Sequence, residues 1–158
     1  MTTEELARQL LQALEARGLT LATAESCTGG GIGHALTAIP GSSKTYRGGV
    51  ISYTNEVKHA VLGVPQETLD VYTAVSRETA EAMARGARQV LGADAALSVT
   101  GLAGPDGDGT GRPVGLVYIG CTTPHTVLVQ EWHFSGSRAR IRAQAVDTAL
   151  KLALTAML

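Results

Sequence analysis

The sequence predicts an α/β domain in which helices are layered on a mixed β-sheet. Segments with the apolar spacing of helices alternate with short apolar runs of strand length. The last two runs, residues 114–123 and 126–134, are separated only by "PH", which predicts a hairpin and therefore a mixed sheet. Because 158 residues without a dividing linker suit one domain, we expect a single domain over residues 1–158.

The first half of the chain contains three predicted helices and two predicted strands. Residues 2–18 predict an amphipathic helix with a capping box formed by Thr2 and Glu5. A strand at 19–25 is followed by helical spacing over 31–39, which Pro40 ends. A second strand is predicted at 48–53, and a short helix then begins with Thr54 or Asn55 as its cap.

The second half continues the alternation. A longer helix is predicted between a Ser76 cap and a Gly92 stop, followed by a buried strand at 93–100. An irregular loop rich in Gly, Asp and Pro precedes the hairpin, and a terminal helix begins near Ser137 and runs to Leu158.

Composition narrows the class of protein. A net charge of −1 provides no positive field to attract nucleic acid, and the chain has no apolar run long enough to span a membrane. The N-terminus lacks the pattern of a signal peptide, and two distant cysteines suit neither a disulfide scaffold nor a zinc site. We expect a cytoplasmic protein without a metal, whose Ala- and Leu-rich terminal helix could cover a second copy in a homo-oligomer.

The stretch "TAESCTGGG" places polar residues between a buried strand and a helix, where α/β folds bind ligands. Free N–H groups at the helix start would bind an anion, and glycine would give a ligand access to the backbone. The alternative is a tight turn capped by hydroxyls. The candidate binding residues are Glu25, Ser26, Thr28, Gly29 and Gly30.

A second glycine-rich loop, residues 101–111, also follows a buried strand. Two such loops at adjacent strand ends could line one pocket. Thr100 and Gly101, at the end of the strand, are the candidates to face it, whereas residues 108–111 suit a mobile surface loop.

The third candidate cluster contains Ser42, Ser43, Tyr53 and Lys58. A serine needs a base, and a lysine can act as one when burial lowers its pKa. Serine–lysine pairs are known variants of the catalytic triad, and Tyr53 could relay or orient the proton. From the residues alone, a solvated surface is the competing interpretation.

Cys27 and the two arginines of the last helix each have two possible interpretations. Cys27 lies near a helix N-terminus, which favours a reactive thiolate, but cysteine also serves as a small buried residue. Arg138 and Arg142 are neighbours on one face of the last helix and could grip a phosphate or form a solvated basic face.

The chain resembles the CinA C-terminal domain family from about Leu11 to its C-terminus. The resemblance lies in the order and spacing of "TAESCTGG", "PGSSKTYRGGVISYTNEVK", "AVSRETAEAMARGAR", "SVTGLAGPDG" and "RPVGLVYIG". It implies a three-layer α/β/α sandwich around a mixed, mainly parallel five-stranded sheet. It also implies an amidohydrolase, without a cofactor, that converts nicotinamide mononucleotide to nicotinate mononucleotide and ammonia.

The resemblance further implies site residues. Ser43 would be the nucleophile, Lys58 its base and Tyr53 their support, while Cys27 becomes a packing or pocket residue. Thr100 matches a pocket threonine, and either Arg138 or Arg142 matches an arginine beside the phosphate. Glu25 could make a polar contact with the nucleotide, contact Lys58 or cap a turn. A nucleotide-binding module without catalysis remains the alternative, since it would need the loops and arginines only.

Overall fold

A five-stranded mixed sheet forms the centre of the computed structural model, which describes residues 1–157. The strand order is β2-β1-β3-β4-β5, with β2, β1 and β3 parallel and both β3–β4 and β4–β5 antiparallel. The predicted hairpin and the mixed sheet are confirmed. The strands are β1 (Leu21–Glu25), β2 (Tyr46–Ile51), β3 (Ala95–Gly101), β4 (Leu116–Thr122) and β5 (Val127–His133).

Helices cover both faces, which confirms the three-layer α/β/α fold. Helices α1, α2 and α6 pack together on one face over the larger apolar cluster, and α5 crosses the other face with α4 beside it. The helices are α1 (Thr3–Ala16), α2 (Gly31–Thr37), α3 (Asn55–Ala60), α4 (Gln66–Tyr72), α5 (Arg77–Leu91) and α6 (Arg138–Ala156). Leu158, which the predicted terminal helix and domain include, lies outside the described residues.

The predicted helix caps are found where the sequence placed them. Thr2 and Glu5 form a complete capping box, and the Ser76 and Ser137 hydroxyls each accept from a backbone N–H of the helix they begin. Gly92 ends α5 in the left-handed conformation, at φ +61°.

Two predictions of local structure need correction. Strand β2 begins at Tyr46 and ends at Ile51, two residues earlier than predicted, because its pairing with β1 runs from Leu21–Tyr46 to Glu25–Ile51. Ser52 and Tyr53 consequently lie in the turn after the strand. Helix α4 was not predicted, and it begins directly after Pro65.

Side-chain size differs between the two faces of the central strands. On β3, Leu97 and Val99 belong to the larger apolar cluster with residues of α1 and α6, whereas Ala96 belongs to the cluster under α5. Ser98 also faces α5, and its hydroxyl donates to the Ala80 carbonyl at 2.6 Å. Small residues therefore let α5 approach the sheet closely, which raises the cost of adding volume on that side.

Gly86 provides a test of the packing of α5 against a second neighbour, the segment between α3 and α4. A Cβ at Gly86 would lie 1.9 Å from the carbonyl oxygen of Leu62. We expect Gly86→Ala to lower the free energy of unfolding by about 1–3 kcal/mol, because overpacking outweighs the better helix propensity of alanine. Denaturant unfolding measures the change. Gln89→Ala, at an exposed position of α5, is the control and should change stability by less than about 0.5 kcal/mol. A stabilised Gly86→Ala protein would contradict the packing described.

Candidate active site

A cavity of about 300 Å³ opens at the edge of the sheet where β1, β2 and β3 end. This volume is at the lower end of the range for small-molecule sites. The turn after β1 and the start of α3 form one wall, and the glycine-rich loop after β3 forms another. The lining residues are Ser26, Cys27, Tyr53, Asn55, Lys58, Ala74, Val75, Thr100, Gly101, Leu102, Ala103, Gly104, Asp106, Asp108 and Arg138.

The amine of Lys58 contacts the hydroxyl of Ser26 in this cavity. Lys58 Nζ lies 3.0 Å from Ser26 Oγ, 2.8 Å from the Ser52 carbonyl oxygen and 3.3 Å from the Tyr53 carbonyl oxygen. The side chain points inward from α3, whose first turn is capped by Thr54, and only 1% of Lys58 is exposed. Ser26 directly follows β1 and is also buried.

Burial makes the Lys58 amine a weaker base than an ordinary lysine. Desolvation of the charged form lowers the pKa of Lys58 from 10.5 to about 8. Its three hydrogen-bond partners are uncharged, so none of them is a counter-ion that offsets this desolvation. A substantial fraction of the amine is therefore neutral near pH 8 and able to accept a proton.

The predicted pairing of Ser43 with Lys58 is wrong. Ser43 is exposed in a 3-10 turn, Ser42–Lys44, which immediately precedes β2, whereas Lys58 follows that strand. At about 3.3 Å per residue, the six residues of β2 separate its two ends by roughly 20 Å. The order of elements excludes a contact between Ser43 and Lys58, because the residues before and after a strand lie at opposite ends of that strand.

Tyr53 reaches the cavity, but in an arrangement different from a relay between serine and lysine. Its carbonyl accepts from Lys58, while its side chain is 59% exposed. Its hydroxyl accepts from Arg138 Nη2 at 3.3 Å. The tyrosine thus connects the lysine end of the cavity to the arginine at its rim.

The glycine-rich turn after β1 binds its own carboxylate. Glu25 is buried, and its carboxylate accepts from the Ile32 and Gly33 N–H groups at 2.9 and 3.0 Å and from the Thr28 hydroxyl at 2.6 Å. The prediction that these N–H groups at the start of α2 bind a substrate anion is therefore wrong, since Glu25 occupies them. Of the three interpretations of Glu25, the capping one is confirmed.

Gly29 and Gly30 shape this turn from the backbone. Both have positive φ, +57° and +100°, a conformation that favours glycine. A Cβ at Gly29 would lie 3.2 Å from Arg142 Nη2, and one at Gly30 would lie 3.1 Å from Ile51 Cδ1. Neither they nor Glu25 and Thr28 line this cavity, and the contacts that the structure gives Glu25 and Thr28 lie within the turn.

Cys27 lines the cavity beside Ser26 but is 5% exposed. Desolvation raises the pKa of its thiol to about 11. A thiol with this pKa is protonated at neutral pH, which agrees with a packing residue and disfavours the rival nucleophile.

The strand end at Thr100 and Gly101 lines the cavity, as predicted. The Thr100 hydroxyl donates to the Ala74 carbonyl at 2.7 Å and so ties β3 to the segment before α5. A Cβ at Gly101 would lie within 2.8 Å of the Leu116 carbonyl and of Val117, so the glycine permits close pairing with β4. Asp106 and Asp108 also line the cavity. The sequence pattern gives no signal for Asp106 and predicts a mobile loop at Asp108.

The two candidate arginines of α6 make different contacts. Arg138 lines the cavity, donating to the Gly104 carbonyl at 2.7 Å and to the Tyr53 hydroxyl. Arg142 instead donates to the Cys27 and Thr28 carbonyls at 2.9 and 3.3 Å. The spacing of four residues places both arginines on one face of α6. Which groups each arginine contacts depends on the loops packed against that face.

Residues 1–157 contain no group of three or more His, Cys, Asp or Glu side chains placed to hold a metal ion. Over the same range, every helix is too short or too polar to cross a membrane.

The fold and the site define an α/β domain with a serine and a buried, partly neutral lysine in contact at the carboxyl edge of its parallel strands. The chain belongs to the CinA C-terminal domain family, whose family model matches residues 3–157.

Solved structures and curated relatives agree with this membership. A CinA superfamily protein from Klebsiella pneumoniae 700603 superposes with a TM-score of 0.96 at 37% identity, covering 99% of this chain and 98% of that one. A competence/damage inducible protein from Agrobacterium tumefaciens gives a TM-score of 0.93 at 44% identity, covering 98% and 94%. A CinA-like protein from Desulfotalea psychrophila is 51% identical over 141 residues, which are 89% of this chain and 34% of that protein. The chain thus spans about a third of the length of the curated relatives it matches.

The buried amine predicts a pH-dependent stability. Between the folded pKa of about 8 and the usual value of 10.5, the unfolded state binds a proton that the folded state has lost, so stability rises with pH in this range. We expect the unfolding free energy of the wild type to rise relative to Lys58→Met between pH 8 and 10.5, by at most about 3 kcal/mol. Denaturant unfolding across this range measures the difference. Lys151→Met, which removes an exposed lysine, should give a flat difference; a flat difference for Lys58→Met would mean that the amine titrates normally.

Proposed function

We propose that the chain is a serine amidohydrolase that converts nicotinamide mononucleotide to nicotinate mononucleotide and ammonia, with Ser26 as nucleophile and Lys58 as general base. The observation that carries the proposal is the 3.0 Å contact between the buried Lys58 amine and the Ser26 hydroxyl in the cavity. The resemblance of the chain's segments to those of nicotinamide-nucleotide amidohydrolases supports the choice of substrate.

The three neighbours of Lys58 suit a neutral amine acting as a base. Such an amine has two N–H bonds and one lone pair. The carbonyl oxygens of Ser52 and Tyr53 can only accept, so they take the two N–H bonds. Lys58 Nζ and Ser26 Oγ lie 3.0 Å apart, with the lysine as donor when it is charged. Ser26 is the one neighbour that can also donate, so in the neutral amine the lone pair is left for its O–H. With both N–H bonds directed at carbonyl oxygens, the lone pair of the Lys58 nitrogen faces the hydroxyl proton of Ser26, which is the proton to be removed.

The reaction follows in two halves. Lys58 takes the Ser26 proton as Oγ bonds to the carboxamide carbon, and the tetrahedral intermediate breaks its C–N bond while Lys58 returns the proton to the departing nitrogen as ammonia. Water then loses a proton to Lys58 and attacks the acyl ester. The ester C–O bond breaks, Ser26 regains the proton and nicotinate mononucleotide leaves.

Charges around the cavity suit the two ends of this nucleotide. Arg138 lines the cavity with an exposed guanidinium, a group that binds phosphate through paired N–H donors. Asp106 and Asp108 line the cavity as well and can offset the positive charge of the pyridinium ring. A cationic ring beside Lys58 also disfavours protonation of the amine, which helps to keep the base neutral.

Replacing the serine tests the assignment. We expect Ser26→Ala and Lys58→Met each to lower the rate of ammonia release from nicotinamide mononucleotide by at least about 1000-fold, because each removes a group that forms or breaks a bond. Release is measured with purified protein in a coupled ammonia assay.

Ser43→Ala is the matched control, since it removes an exposed hydroxyl at the opposite edge of the sheet. Its rate should stay within about twofold of the wild type. If the wild type binds the nucleotide but releases no ammonia, the alternative of a non-catalytic binding module replaces the amidohydrolase.

The rate should also depend on the protonation of Lys58. Because only the neutral amine accepts the serine proton, kcat/KM should increase with pH and level off above about pH 8. Cys27→Ala should retain this inflection, since the pKa of the Cys27 thiol is raised to about 11. A profile that is flat from pH 6 to 9 would contradict the role of Lys58 as base.

A further inference from the structure

We propose that Arg142 is a positioning residue that fixes the turn carrying Ser26, and that it does not bind the substrate phosphate. The inference rests on the proposed function of Ser26. It starts from the different contacts of the two arginines one helical turn apart on α6, of which Arg138 lines the cavity and Arg142 does not.

Arg142 grips the turn by two consecutive carbonyls. Its Nε donates to the Cys27 carbonyl at 2.9 Å and its Nη2 donates to the Thr28 carbonyl at 3.3 Å. The planar guanidinium presents donors at fixed spacing, so one side chain can hold both peptide groups in a defined orientation. Gly29 leaves room for this contact, because a Cβ there would lie 3.2 Å from Arg142 Nη2.

The opposite side of the same turn is held by Glu25. Its carboxylate accepts from the Thr28 hydroxyl, and also from the first N–H groups of α2. The Thr28 carbonyl meanwhile accepts from both Arg142 and the Gly31 N–H. The residues directly after Ser26 are thus held between α6 and α2, which leaves the turn little freedom to shift.

Two backbone hydrogen bonds at the ends of the parallel strands also restrain the positions of Ser26 and Lys58. The Ser26 N–H donates to Val99 on β3 at 3.0 Å, and the Ser52 N–H donates to the Glu25 carbonyl at 2.7 Å. Since the Ser52 carbonyl also accepts from Lys58, the serine and the amine are tied to one backbone framework. Loss of the Arg142 hydrogen bonds would leave the turn after Ser26 less restrained. The hydrogen bonds from Lys58 to Ser52 and Tyr53 would remain.

Steady-state kinetics with two substrates tests the inference. Arg142→Met should lower kcat about 10- to 100-fold, equally for nicotinamide mononucleotide and for nicotinamide riboside, which lacks the phosphate, with little change in KM. Arg138→Met should instead raise KM for the mononucleotide and leave KM for the riboside nearly unchanged. Arg140→Met, an exposed arginine of the same helix, should behave as the wild type.

Arg142→Lys separates the grip from the charge, because an ammonium keeps the positive charge but lacks the planar fork. Its kcat should remain well below that of the wild type. Wild-type kcat in Arg142→Lys would overturn the inference, as would a selective rise in KM for the mononucleotide in Arg142→Met. The lysine variant also keeps the test available if Arg142→Met does not fold.

Amide hydrogen exchange provides a readout that does not depend on activity. The Gly29 N–H donates to the Ser26 carbonyl at 3.1 Å, and its exchange should accelerate in Arg142→Met but not in Arg140→Met. Unchanged exchange at Gly29 would overturn the grip. If the wild type releases no ammonia while exchange at Gly29 still accelerates in Arg142→Met, the proposed function fails and the hold of Arg142 on the turn stands.

Discussion

The site depends on an amine that is buried among uncharged groups. Lys58 is 1% exposed, and its hydrogen bonds go to one hydroxyl and two carbonyls. Burial away from water disfavours the ammonium ion, and none of these hydrogen-bond partners carries a negative charge, so the pKa of the amine is lowered. The nearby carboxylate of Glu25 would relieve that cost if it turned toward the lysine, but it is held by the N-terminus of α2. The capping of α2 by Glu25 therefore keeps this carboxylate from pairing with the amine, so the pKa of Lys58 stays low.

Strand direction explains why these groups meet. Strands β1, β2 and β3 are parallel, so the residues that follow each of them collect at the same edge of the sheet. Ser26 follows β1, Ser52 and Tyr53 follow β2, and Thr100 lies near the end of β3. Helix α6 comes from the opposite end of the sequence and adds Arg138 at the rim and Arg142 behind the turn. The chemistry is assembled from loops, while the sheet fixes the positions from which those loops start.

Much of the fold was predictable because its signals are local. The capping box at Thr2 and the caps at Ser76 and Ser137 depend on residues three positions apart, and the hairpin on a two-residue break between apolar runs. Helix α4 was missed, and the limits of β2 were set by its pairing with β1. For the site, the sequence identified the glycine-rich turn, Lys58 and the arginines as candidates, yet it paired Lys58 with Ser43 instead of Ser26.

The sequence by itself determined the layered α/β class, the caps that begin its helices and the pool of polar residues next to its strands, since each of these depends on neighbours along the chain. Only the tertiary structure decided which members of that pool meet. Ser26 and Lys58 are brought together across 32 positions, and Arg142 reaches Cys27 across 115. Contacts at such separations depend on strand order and register, and these follow from the packing of the whole sheet between its two helical layers.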